Sequence, residues 1–216
     1  MSSLEKKCCR VKPLAPNGKR VVFAFPTLSI FETGHIDCWL AFIPLHAMNG
    51  GLLVRIIAFS DFHGSSIAVD KAARVAARET ADLMLIAGDL AFHSVDSAFS
   101  ILQKLSSSKM LILYVPGNMD SAELASFKHS GMLRCIHGRC ERIGDFSFLG
   151  VGGAVKGPFM TPFESTEEEI QETLKKAIEN CENTDLVLVS HAPPKNTSLD
   201  LTRSGMHVGS SAIRNF

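Results

Sequence analysis

The stretch Phe59-Ser60-Asp61-Phe62-His63-Gly64 sets a carboxylate and an imidazole two residues apart, directly after the apolar run LLVRIIAF. Three more apolar runs end the same way: Gly88-Asp89 after one, Gly117-Asn118-Met119-Asp120 after the next, and His191 after a fourth. Carboxylate, amide and imidazole together suit Mn, Fe, Zn, Co or Ni better than the all-oxygen shells preferred by Mg and Ca. Taken singly, each match is weak. His63 alone is as well explained as a helix-capping or core histidine, and Asp89 as an ordinary turn residue after Gly88. Four separate strand ends that each carry a ligand are hard to reconcile with turn chemistry.

The elements that must position these groups are legible from Leu52 onward. LLVRIIAF reads as a strand buried on both faces. SSIAVDKAARVAARETA follows with a capping Ser and with Ile67, Val69, Ala72, Ala73, Ala76 and Ala77 at helical spacing. DLMLIAG is the next strand, SVDSAFSILQKL the next helix with Ser94 as cap, and KMLILYVPG the third strand. This alternation with continuously apolar strands predicts a parallel α/β sheet. CERIGDFSFLGVGG reads as a hairpin turning at Gly144-Asp145, ESTEEEIQETLKKAIENC as a helix with an acidic first turn, and DLVLVSHAPP as another buried strand. In an open α/β sheet, ligands bind beyond the carboxyl ends of the strands, so topology alone brings the five candidates to one edge.

Asp61-x-His63, Gly88-Asp89, Gly117-Asn118-Met119-Asp120 and His191 resemble, in order and approximate spacing, the motifs of the calcineurin-like metallophosphoesterases, over about residues 53 to 216. The resemblance implies a single-domain member of prokaryotic type, with two β-sheets packed as a sandwich between helices and a two-metal site at the strand ends. It also implies that Asp61 and His63 hold the first ion, that Asp89 bridges both, and that Asn118 and His191 hold the second. The expected reaction is hydrolysis of a phosphomonoester or phosphodiester by a hydroxide activated between two divalent ions. In that reading Asp89, Asn118 and Asp120 belong to the catalytic set.

Two positions depart from the family pattern. Where many members carry a histidine placed to protonate the leaving oxygen, this chain has Met119, and a thioether cannot donate a proton; His93 and His207 are the candidate substitutes. The family also closes its site with Gly-His-x-His after one more helix and strand. This chain reaches Phe216 without that motif, so the sequence reads as truncated and short of at least one strand. A catalytically weak interaction scaffold of the same fold is the alternative function.

Composition bounds the rest. The 216 residues are 46% hydrophobic and 20% charged with zero net charge, which predicts one globular domain and no polyanion-binding surface of the kind nucleic-acid binders need. Residues 1–50 are basic and aperiodic, and read as an appended extension or a poorly packed arm ahead of a phosphoesterase domain at 51–216. Pro26, Glu32, Asp37 and Pro44 interrupt the apolar stretch within 21–48, so no membrane span is expected. Six cysteines without a C-x-x-C pair predict free thiols and a cytoplasmic location. Neither G-x-G-x-x-G nor a P-loop follows any strand, which leaves a nucleotide-binding fold unsupported.

Overall fold

The computed structural model describes residues 53–127, 130–182, 185–202 and 205–216, together with the backbone of three upstream strands. Those strands are β1 (Val11–Lys12), β2 (Val21–Ala24) and β3 (Trp39–His46). Both five-stranded sheets therefore include strands from the segment read as an extension, and the remainder of residues 1–50 lies outside the described residues.

Strands β4 (Leu53–Ser60), β5 (Leu83–Ala87), β6 (Leu111–Val115) and β7 (Leu133–Cys135) run parallel, with β3 antiparallel at the β4 edge. The second sheet has the order β1-β2-β12-β9-β8, where β8 is Cys140–Ile143, β9 is Phe146–Val151 and β12 is Asp185–Ser190; β10 (Ala154–Val155) and β11 (Glu164–Ser165) form a short parallel pair of their own. The predicted hairpin is present as β8–β9, pairing Ile143 with Phe146.

Side-chain alternation along these strands builds three apolar layers. Val54, Ile56, Ala58, Leu83, Leu85, Leu113 and Val115 of one sheet meet Phe146, Phe148, Val187 and Val189 of the other. Their neighbours Ile57, Phe59, Met84, Ile86, Ile112 and Tyr114 face outward onto α1 (Ser66–Arg78) and α2 (Val95–Ser106). On the far side Leu149, Val151, Leu186 and Leu188 pack on α3 (Glu167–Glu179) and α4 (Ser211–Asn215). Helices cover the outer face of both sheets, so the central strands are apolar on both sides and read as near-continuous hydrophobic runs, while Arg55 on β4 and the edge strand β8 keep polar positions toward solvent. The result is the expected helix–sheet–sheet–helix sandwich.

The helices begin where their caps stand. Ser65, Ser94 and Thr166 each accept an N–H from the first turn, and Thr166 with Glu169 completes a capping box. One stripe is shifted from expectation: in α1 it is Ala68, Val69, Ala72 and Ala76 that are buried, while Ile67 is exposed. At about 100° per residue Ile67, Ala68 and Val69 cannot all face inward, and the small Ala68 takes the close position against the sheet.

The cysteines also depart from expectation. Cys140 on β8 and Cys181 beyond α3 form a disulfide with Cα atoms 5.4 Å apart, whereas Cys135 is buried and free. A separation of 41 residues leaves no local signal for such a pair. The two positions meet only because β8 and α3 both pack on β9.

Candidate metal centre

Strand β4 stops at Ser60, and the chain then does something no regular strand does. Asp61 and His63 both take left-handed backbone angles, φ 60° and 46°, as does Asp89 at φ 53°. Such angles cost non-glycine residues free energy and persist only where neighbouring structure imposes them. Here a ladder imposes them: Asp61, His63 and Gly64 donate their N–H groups to the carbonyls of Gly88, Asp89 and Leu90 at 3.1, 2.8 and 2.9 Å. The loop after β4 is thereby zipped onto the loop after β5. Strand alternation could also put Asp61 and His63 on one side, but it is not how the site is made. Two left-handed turns aim both side chains out while Phe62 between them is fully buried and packs on Phe59.

Asp120 performs the same service one loop further on. It is 1% exposed, and its carboxylate accepts from Leu90 N, Ala91 N and Gly117 N at 3.1, 2.8 and 2.8 Å, tying the β5 and β6 loops together. Burial pushes its pKa up, against the pull of those three donors. Both oxygens are occupied by backbone donors, so Asp120 sits beneath the site as a positioning group. The glycines of the two motifs have a steric reason. A Cβ at Gly88 would lie 2.5 Å from Gly117 Cα and 2.6 Å from His191 Nδ1, and one at Gly117 would lie 2.0 Å from Asp89 Oδ1.

Asp89, almost fully buried, lies between two halves of the cluster. Its Oδ2 is 3.6 Å from His63 Nε2, which is also 3.6 Å from Asp61 Oδ1. Its Oδ1 is 3.5 Å from His191 Nε2 and accepts from Met119 N at 2.9 Å. His191 meets the Ala87 carbonyl through Nδ1 at 2.7 Å and Asn118 Oδ1 through Nε2 at 2.8 Å. Ser60 Oγ donates to Asp61 Oδ2 at 2.6 Å. Burial pulls both histidines toward lower pKa, but the surrounding carboxylates, Asp61 and Asp89 for His63 and Asp89 first for His191, outweigh it and leave both raised. The cluster is built to hold positive charge.

Residues 54–216 match the family model for calcineurin-like phosphoesterases. The chain belongs to that family. It is 36% identical over 165 residues to the uncharacterized protein MJ1162 of Methanocaldococcus jannaschii, covering 74% of this chain and 72% of that protein. One solved crystal structure superposes with a TM-score of 0.61 at 15% identity, covering 73% of this chain and 77% of that one. The crystal structure of TT1561 of Thermus thermophilus superposes with a TM-score of 0.54 at 20% identity, with 73% of each chain covered. These two likenesses speak to fold alone. Calcineurin-like phosphoesterases are metal-dependent, and the residues here fit a metal: ligand atoms of Asp61, His63 and Asp89 all lie within 4.8 Å of one another. The 3.6 Å spacings are too long for good hydrogen bonds and suit groups that share an ion.

The five expected ligands thus converge, and the two candidate acids separate. His93 is exposed on the β5 loop, and its N–H donates to the Met119 carbonyl at 2.9 Å, beside the position where many family members carry a histidine. His207 instead holds Asp200 through Nδ1 at 2.8 Å, within a loop organised by that buried carboxylate, which also accepts from Asn196, Thr197 and Gly209 N–H groups.

His137 was not foreseen, because nothing in the surrounding CIHGRC marks it. Its Nδ1 accepts from Gly152 N at 2.9 Å and its ring lies against Phe163, whose own N–H donates to the Asn118 carbonyl at 3.1 Å. Burial, with Arg139 nearby, depresses its pKa to about 4. The unfolded chain takes up this proton below about pH 6.5 while the folded chain resists until about 4, so stability is lost as pH falls through that window. Metal-free His137→Asn, which keeps an acceptor near the Nδ1 position but cannot titrate, should lose about 2 kcal/mol less than wild type between about pH 7 and 5 in denaturant unfolding. Identical pH dependence in the two proteins would refute this.

Proposed function

We propose that the protein is a phosphomonoesterase or phosphodiesterase with a binuclear centre, carried by residues 51–216. The observation that supports two ions is the placement of Asp89, with Oδ2 beside His63, which also faces Asp61, and Oδ1 beside His191, which also meets Asn118. A carboxylate can give one oxygen to each of two ions, with Asp61 and His63 completing one set and Asn118 and His191 the other. Bound divalent ions of the Mn, Fe, Zn, Co or Ni type would supply hydroxide at neutral pH and offset charge on the phosphoryl oxygens.

The chain's own residues do the rest. The Ala87 carbonyl fixes His191 in the orientation that turns Nε2 toward Asn118 and Asp89. Met119 contributes its backbone, bracing Asp89 through its N–H and the His93 loop through its carbonyl. We assign His93 as the donor of the leaving-group proton, because its loop is bonded at position 119; His207, already committed to Asp200, is the alternative. The cytoplasmic location expected from free cysteines loses that support with Cys140–Cys181 bonded. No described helix is long and apolar enough to cross a membrane.

Manganese-loaded protein should hydrolyse bis(4-nitrophenyl) phosphate or 4-nitrophenyl phosphate, and Asp89→Asn should lower turnover at least a thousandfold with loss of bound metal. Metal uptake without turnover on either ester would favour the scaffold reading. With a poor leaving group such as phenolate, His93→Asn should lower kcat by about 10²-fold while His207→Asn leaves it near wild type; the reverse order would move the acid to His207.

A further inference from the structure

The ring of Phe92 stacks on His63, with centroids 5.2 Å apart and planes 23° from parallel, yet Phe92 is 53% exposed. One face therefore covers a metal-ligand candidate and the rest of the ring is open at the mouth of the site. This is no loosely held surface side chain. The backbone on either side is pinned, with Ala91 N donating to Asp120 Oδ1 at 2.8 Å and His93 N to the Met119 carbonyl at 2.9 Å, and His93 is itself left-handed at φ 58°. The fold thus holds an aromatic ring in water beside the cluster.

The neighbouring loop has the same character. Phe163 N bonds the Asn118 carbonyl, and Glu164 gathers the turn before it by accepting from Gly157 N and Thr161 N. The tip so formed exposes Phe159 and Met160. Across residues 91–95, 117–121 and 153–163 the single Lys or Arg is Lys156, which faces Glu169 at 3.9 Å. A polyphosphate or nucleic-acid strand would need a row of cations along this rim. These three loops offer apolar surface instead, at Phe92, Phe159 and Met160.

We infer that Phe92 is a specificity residue: its open face takes a planar aromatic group carried by the phosphoester, so that the preferred substrates are small esters of aromatic-bearing alcohols. The inference rests on the phosphoester reading above, and deepens it by naming the substrate class. Stacking of one ring on another adds the equivalent of up to about tenfold in affinity beyond burial.

The test is calorimetric binding of phenylphosphonate and methylphosphonate, equal in charge and differing in the ring, to the manganese-loaded full chain. Wild type should bind phenylphosphonate about tenfold more tightly. Phe92→Leu, which keeps apolar area but loses the stacking face, should lower the ratio severalfold and Phe92→Tyr should keep it, with manganese content measured on each to separate lost stacking from a disturbed His63. Equal affinities in wild type, or an undiminished ratio in metal-loaded Phe92→Leu, would overturn the inference alone. Failure of both phosphonates and of inorganic phosphate to bind would overturn the phosphoester reading and this inference with it.

Discussion

A Cβ atom at position 117 would stand 2.0 Å from Asp89 Oδ1 and 2.2 Å from the Asp89 nitrogen, and one at position 88 would meet both Gly117 and His191. Close approach of three loops is thus the constraint from which the candidate centre follows. Two parallel strands end side by side, their glycines remove the only atoms that would hold the loops apart, and Asp89 drops into the gap in a left-handed conformation. The ladder from Asp61, His63 and Gly64 to Gly88, Asp89 and Leu90, with the three bonds to Asp120, stabilises that arrangement against its backbone strain.

The electrostatics are a consequence of the same geometry. Asp61 and Asp89 are brought together in a partly dry site, where the Ser60 hydroxyl and the Met119 N–H each donate to one of them and the nearby positive partners are His63 and His191, whose proton affinity the carboxylates raise. Asp120 enters this balance more weakly: its oxygens face backbone N–H groups, yet burial and Asp89 push its pKa up, and it adds to the raising of His191. The centre is accordingly a set of charged ligands above a buried carboxylate bonded by backbone N–H groups, and the family's metal dependence has a direct structural basis in the excess negative charge.

The sandwich, and the meeting of the five candidate ligands at one edge, were legible because both depend on short-range pattern. Uninterrupted apolar strands announce a sheet covered on two faces, and a ligand at each strand end needs only topology to reach its neighbours. The means of positioning were not legible. Alternation would have served Asp61 and His63 equally well on paper, and the positive φ angles arise from the ladder to a segment distant in sequence. His137, Phe92 and the Cys140–Cys181 bond escaped for the same physical reason: each acts through a partner brought near by tertiary packing, and none carries a local motif. Asp120 was recognised as part of a motif, while its three backbone partners show why the motif needs an acid there.

If Asp89 stands between two ion sites, anomalous diffraction from crystals soaked in manganese will show two peaks, one bounded by Asp61 and His63 and one by Asn118 and His191, with an Asp89 oxygen on each. A single peak, or two peaks not shared by Asp89, would contradict that placement.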